Sequence, residues 1–207
     1  MELRRTANAG VLLKLDGVSI LMDGVCREVK PYPATPPEER ALLTASWPDA
    51  VLFTHNHKDH YDPDYAAAYK AQADGVIFGP GDAAVPVMVG PVQILPVPSR
   101  HIGAAGKTTQ HTSFILKGSK CVWFLGDSSP LQWKERQDLP TPDVLIVPYA
   151  YAATDTGWSI TRSLGAKRVI LLHMPAREDD TVGLWDAVEK TVGQGSGIEI
   201  PAMGQTL

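Results

Sequence analysis

Cysteine is scarce in this chain. Cys26 and Cys121 are the only two, neither belongs to a CxxC pair, and a disulfide framework is excluded. Both lie in or beside apolar stretches, where a free thiol packs as a small hydrophobe. Long apolar runs are missing as well: Val144 to Val147 and Val169 to Leu172 are far too short to cross a bilayer. The opening residues Met1-Glu2-Leu3-Arg4-Arg5 carry no apolar stretch followed by a cleavage site, so the reading is a soluble, cytoplasmic protein without a membrane partner. No basic block is present and the formal net charge is −4, which argues against an electrostatically driven nucleic-acid surface. Low-complexity segments and short-period repeats are also lacking. The 207 residues, 44% of them hydrophobic, suffice for one substantial core, and we read 1–207 as a single domain.

What the chain does have is histidine, concentrated in one place. Three of the six histidines and an aspartate fall within His55-Asn56-His57-Lys58-Asp59-His60, directly after the apolar run Ala50-Val51-Leu52-Phe53. Solvated loops draw on Gly, Ser, Asn, Asp and Pro, so a histidine triple leaving a strand reads as a metal site. Imidazole nitrogen and carboxylate oxygen are donors for zinc, iron and manganese. Side chains at the first and third positions of an extended turn can close on one ion, while the fifth and sixth are carried around the bend toward another. One loop can therefore serve two metals.

The rest of the chain alternates short apolar runs with turn signals. Val11 to Leu15 and Val18 to Met22 flank Asp16-Gly17 as a hairpin, and Asp23-Gly24 closes its second strand. Prolines crowd around Pro31, Pro33, Pro36 and Pro37, which favours an irregular surface loop carrying Tyr32; Pro37-Glu38-Glu39 can still open a short helix. Asp62-Pro63 reads as the cap and first turn of an alanine-rich helix. Strands are expected at Val76 to Phe78, Val92 to Val97, His111 to Lys117, Cys121 to Leu125, Val144 to Val147, Val169 to Leu172 and Ile198 to Ile200. Helices are expected around Ser159 to Leu164 and through Leu184, Val188 and Lys190, and the loop from Ile102 to Gln110 is expected to be mobile or ligand-facing.

His55-x-His57-x-Asp59-His60 resembles the signature of the metallo-β-lactamase superfamily. The resemblance implies an α/β (α+β) fold: a four-layer αββα sandwich of two mixed β-sheets flanked by helices. It also implies a ligand set of His55, His57 and His101 for one ion and Asp59, His60 and His173 for the other, with Asp127 of Gly126-Asp127-Ser128 bridging them. His111 has no family slot, and it competes with His101 as the third ligand of the first ion or stands on the rim to contact substrate. Asp23 is either a turn residue or a support behind the ligands. Tyr32, Tyr149, Tyr151 and Trp158 are candidates for substrate contact, each with ordinary packing as the alternative.

Two divalent cations, zinc by default with manganese or iron as options, lower the pKa of a bound water and supply hydroxide at neutral pH. Asp59 is the candidate catalytic residue, ligating and orienting that nucleophile. The implied activity is metal-dependent hydrolysis of a small anionic ester, lactone or phosphodiester, closest to the ascorbate-6-phosphate-lactonase-like branch. The alternatives are an RNA or DNA phosphodiesterase resembling ribonuclease Z, for which no long basic insertion is present, and a non-catalytic metal-binding protein. Oligomeric state cannot be read from these residues.

Overall fold

The computed structural model describes the 207 residues apart from 135, 137 and 194 and the side chain of residue 107. Two β-sheets stack face to face. The first holds β1 (Glu2–Arg5), β2 (Val11–Leu15), β3 (Val18–Met22), β4 (Ala50–Leu52) and β5 (Val76–Phe78), in that order across the sheet. The second holds β6 (Val87–Val89), β7 (Val92–Arg100), β8 (Gln110–Lys117), β9 (Cys121–Phe124), β10 (Val144–Pro148), β11 (Arg168–Leu172) and β12 (Ile198–Glu199), again in sequence order from edge to edge. Each sheet is mixed. Hairpins join β1 to β3 and β6 to β9 antiparallel, while β3-β4-β5 and β9-β10-β11-β12 run parallel.

The period of two in each strand sorts the side chains into layers. On β4, Ala50 and Leu52 enter the core between the sheets, whereas Val51 points outward. On β10, Val144 and Ile146 enter the same core and Leu145 and Val147 face the other way. Strands buried on both faces need helices outside them, which explains why these runs are uninterruptedly apolar. Helices α1 (Pro37–Ala45) and α2 (Pro63–Gln72) cover the first sheet through Leu43, Tyr65 and Tyr69. Helices α3 (Asp155–Ser163) and α4 (Leu184–Val192) cover the second through Ile160 and Val188. The expected αββα sandwich is thus present. Truncating a residue of the middle layer, such as Leu52, costs about 2–5 kcal/mol.

Local sequence accounts for the boundaries. Asp62 caps α2 by accepting from the amides of Asp64 and Tyr65. Helix α3 starts four residues before the expected Ser159, because Thr154 accepts from the Gly157 amide at 3.0 Å. A β-carbon at Gly157 would meet the Ala150 carbonyl oxygen at 2.2 Å, so the glycine permits close packing there. Strands β1 and β6 were not legible: β1 is four residues with three charged side chains, paired on one side with β2 and on the other with the backbone of Gln205 and Leu207. The expected mobile loop 102–110 contains a 3-10 turn over Ala104–Lys107. Among the described residues, no helix is long and apolar enough to cross a membrane.

Candidate metal centre

Strands that run in the same direction finish on the same side, and their ends bring distant residues to one place. Strand β3 runs into Asp23, β4 into Thr54 and His55, β7 into His101, β9 into Gly126 and Asp127, and β11 into His173. Asp23 ties the histidine loop down. Its Oδ1 accepts from the Thr54 amide at 2.8 Å, its Oδ2 accepts from Thr54 Oγ1 at 2.6 Å, and Oδ2 lies 2.8 Å from His60 Nδ1. The loop closes where the amides of His60 and Tyr61 donate to the His57 carbonyl at 3.0 and 2.9 Å. Gly126 has φ +52°, and a β-carbon there would stand 2.6 Å from Thr54 Cγ2; glycine is what lets the end of β9 approach the loop.

Among the described residues, apart from Asp16 in its hairpin turn, the non-glycine residues with left-handed backbone are Asp23 (φ 44°) and His173 (φ 59°). Both belong to this cluster. Such conformations cost about 1–3 kcal/mol each and persist only where the surroundings over-determine them. Here the Asp23 amide donates to Leu52 O at 2.9 Å and the His173 amide to Asn8 O at 3.2 Å.

The donor atoms of His55, His57 and His101 lie within 4.8 Å of one another, as do those of Asp59, His60 and His173, and those of Asp23, His55 and His60. Asp127 stands between the first two groups. Its Oδ2 is 3.7 Å from His101 Nε2 and 3.5 Å from Nε2 of both His60 and His173. Asp59 Oδ2 is 3.2 Å from His173 Nε2 and 3.9 Å from His60 Nε2. Nε2 of His55, His60, His101 and His111, Nδ1 of His173 and Oδ1 of Asp127 are all buried without a hydrogen-bond partner. Buried polar atoms are nearly always paired, so this concentration marks a place built for something that takes nitrogen and oxygen lone pairs.

The histidines share a wiring that fits a metal. His55 Nδ1 lies 2.9 Å from Thr54 Oγ1, His60 Nδ1 2.8 Å from Asp23, and His101 Nδ1 2.8 Å from the Ile102 carbonyl; each leaves Nε2 free. Anchoring the far nitrogen orients the ring and presents the near one, as in metal-bound histidines generally. The donor set of imidazoles and carboxylates therefore fits divalent cations.

Burial opposes charge throughout the centre, and the neighbours decide which groups overcome it. Burial, aided by His60, pushes His55 far below the usual imidazole range, and burial with His101 lowers His57. His111 is pushed down to about 3, chiefly by burial. Burial also works against a charged His60, but Asp127 and Asp23 outweigh it and hold that ring well above its ordinary value. In the same way burial would raise Asp127, yet His173 and His60 keep it well below the carboxylate range. Asp59 is lowered because its hydrogen bond to His173, together with the charge of His60, outweighs burial.

The remaining expected site residues divide. Tyr32 packs edge-on against His173, with ring centres 4.3 Å apart, and Tyr149 lies 5.7 Å from the same ring. Tyr151 is fully buried, its hydroxyl 2.9 Å from Ser128 Oγ, so it is a core residue and not a substrate contact. His111 is only 5% exposed and does not stand on the rim. Trp158 sits on α3 with the Arg162 guanidinium over its ring, and no described hydrogen bond or ring contact links it to the cluster. Sequence reading missed the supports: Thr54 behind His55, and Ser128 next to Asp127, which accepts from Trp133 Nε1 at 2.9 Å. Only the position of Ser128 beside a candidate ligand hinted at its part.

The fold and the donor cluster together define a metallo-β-lactamase-fold scaffold. Residues 2–170 match the family described as the beta-lactamase superfamily domain, and the chain belongs to that family. A possible metal-dependent hydrolase from Veillonella parvula is similar over 100% of this chain and 98% of its own, at 17% identity and a TM-score of 0.71. An isothiocyanate hydrolase from Delia radicum gut bacteria is similar over 100% and 98%, at 16% identity and a TM-score of 0.68. The diiron beta-hydroxylase CmlA from Streptomyces venezuelae is similar over 100% of this chain and 53% of its own, at 15% identity and a TM-score of 0.70. No curated protein sequence matches the chain.

Proposed function

We propose that this protein is a metal-dependent hydrolase of a small ester, lactone or phosphodiester. The observation that carries the reading is the meeting of two donor triads around Asp127, with Nε2 of His55, His60 and His101 buried and unpaired. His55, His57 and His101 would hold one ion and Asp59, His60 and His173 the other, with Asp127 between them. Divalent cations bound there supply the positive charge that activates water and polarises the substrate. Zinc suits the imidazole-rich set, and the carboxylates admit manganese or iron.

The protein's own groups do the orienting. Asp59, buried and lowered by His173, is the carboxylate available to hold a water by its hydrogen and later to pass a proton to the leaving group. Asp23 and Thr54 keep His60 and His55 in register. Tyr32 also lines an open cavity of about 490 Å³ with Glu28, Lys30, Glu178, Asp179 and Thr181. That lining carries three acids to one lysine, so the rim does not attract polyanions, which weighs against a nucleic-acid substrate. A small substrate whose single anionic or electrophilic group reaches the ions while its body lies toward Tyr32 fits better.

Metal content of the purified protein, followed by a panel of esters, lactones, a bis-aryl phosphodiester and an isothiocyanate, tests the reading. Turnover of at least one member with two ions per chain, abolished in Asp59→Ala and His57→Ala, is the expected result. A fully metal-loaded chain inert on every member would favour a binding protein instead.

A further inference from the structure

His111 shares the wiring of the anchored histidines although it belongs to neither triad. Its Nδ1 lies 2.6 Å from Ser99 Oγ, its Nε2 is buried without a partner, and its ring centre is 5.0 Å from that of His55 and 5.8 Å from that of His101. Counting protons fixes which nitrogen carries the hydrogen. Ser113 Oγ lies 2.8 Å from the Leu125 carbonyl, which has no hydrogen to give, so the single Ser113 proton is committed there. The 3.0 Å contact between Ser99 and Ser113 then requires the Ser99 proton. Ser99 has nothing left to donate to His111, so the ring nitrogen is the donor of that bond. His111 is therefore protonated on Nδ1, and its Nε2 presents a lone pair.

The relay is built into the sheet. Ser99 on β7 is directly opposite His111 on β8, and Ser113 is two residues further along the same face of β8. A packing histidine needs no such chain of directed bonds, and a buried acceptor left unpaired is costly. We propose that His111 is a positioning residue of the centre: its Nε2 accepts a hydrogen bond from a water or hydroxyl bound against His55, His57 and His101, and so tightens the hold on a cation there. Its nitrogen is not part of either triad, and the proposal gives it the bound oxygen as partner in place of the ion. The inference rests on the metal reading above.

The full chain loaded with zinc or cobalt(II) provides the test. Cation affinity is measured by competition with a chromogenic chelator, the coordination sphere by cobalt absorption, and the ring tautomer by nitrogen-15 NMR. The unaltered protein is expected to bind two ions and to show His111 protonated on Nδ1. His111→Ala should weaken one ion by about 10-fold or more and shift the cobalt bands. His111→Gln, which keeps an acceptor, should recover part of the loss, and Ser99→Ala, a mild change at a half-buried position, should give an intermediate one. Parent-like affinity and cobalt spectra in both His111→Ala and Ser99→Ala, or a His111 protonated on Nε2, overturn the inference and leave the metal reading intact. A chain that binds no cation in any form overturns the metal reading itself.

Discussion

The two halves of the centre use the same ring as their main donor but prepare it in opposite ways. In the half formed by His55, His57 and His101, burial and neighbouring rings keep His55 and His57 neutral, and support comes from the Thr54 hydroxyl and the Ile102 carbonyl. In the half formed by Asp59, His60 and His173, carboxylates surround the rings and raise the pKa of His60 well above its ordinary value. A proton therefore competes more strongly for His60 in the second half than for the rings of the first. Asp127 lies within 4 Å of donors from both halves.

Removing Asp127 should therefore have the largest effect, because it damages both halves at once. Asp127→Ala is expected to lower turnover by about 10²–10³-fold or more and to weaken both ions, read by metal analysis after dialysis. If one ion stays as tight as before, the bridging role is wrong. The comparison sharpens with single ligands: His57→Ala and His173→Ala should each bring the stoichiometry from two ions to one, with the survivor in opposite halves. Loss of both ions from either variant would mean that the halves are not separable.

Asp23→Ala tests the support beneath the second half. It leaves the donors in place but frees His60 Nδ1 and the Thr54 hydroxyl, and a loss of about 10–100-fold in affinity is expected, larger for the ion at His60 than for the other. Equal weakening of the two ions would contradict the asymmetry.

The smallest effect is expected outside the centre, at Asp62, which caps α2 and pairs with Arg40 and Arg27. Asp62→Ala should cost about 1–2 kcal/mol of stability by denaturant titration, with metal content unchanged. Burial opposes its charge, but Arg40 outweighs burial and lowers its pKa below the ordinary 3.8. The stabilisation is consequently complete above about pH 4 and lost as pH falls through the depressed value, so parent and variant should converge in acid. A difference that persists at pH 2 would assign the loss to packing.

Much of this was legible from residue order. The 55–60 loop carries its donors within six residues, and the apolar runs ending at His101, Asp127 and His173 announced strand ends. Other parts were not legible. Strand β1 hides because its charged residues pair at a sheet edge, and the hydrophobic pattern of β6 is only three residues long. Tyr149 and Tyr151 look equivalent in sequence, yet one lies beside His173 and the other is fully buried against Ser128. The sequence leaves His111 open as a ligand or a rim residue because a strand start gives no sign of how deep it lies.

The sequence by itself determined the chemistry: which atoms can bind a cation, and that alternating apolar strands must be covered by helices. Those properties are local, set by side-chain type and by the period of two. Only the tertiary structure decided which histidine joins which group, because His101, His111 and His173 are placed by the stacking of two sheets and by strand register. It also decided the direction of each pKa shift, since burial lowers His55 while the carboxylates that folding brings beside His60 outweigh burial and raise it.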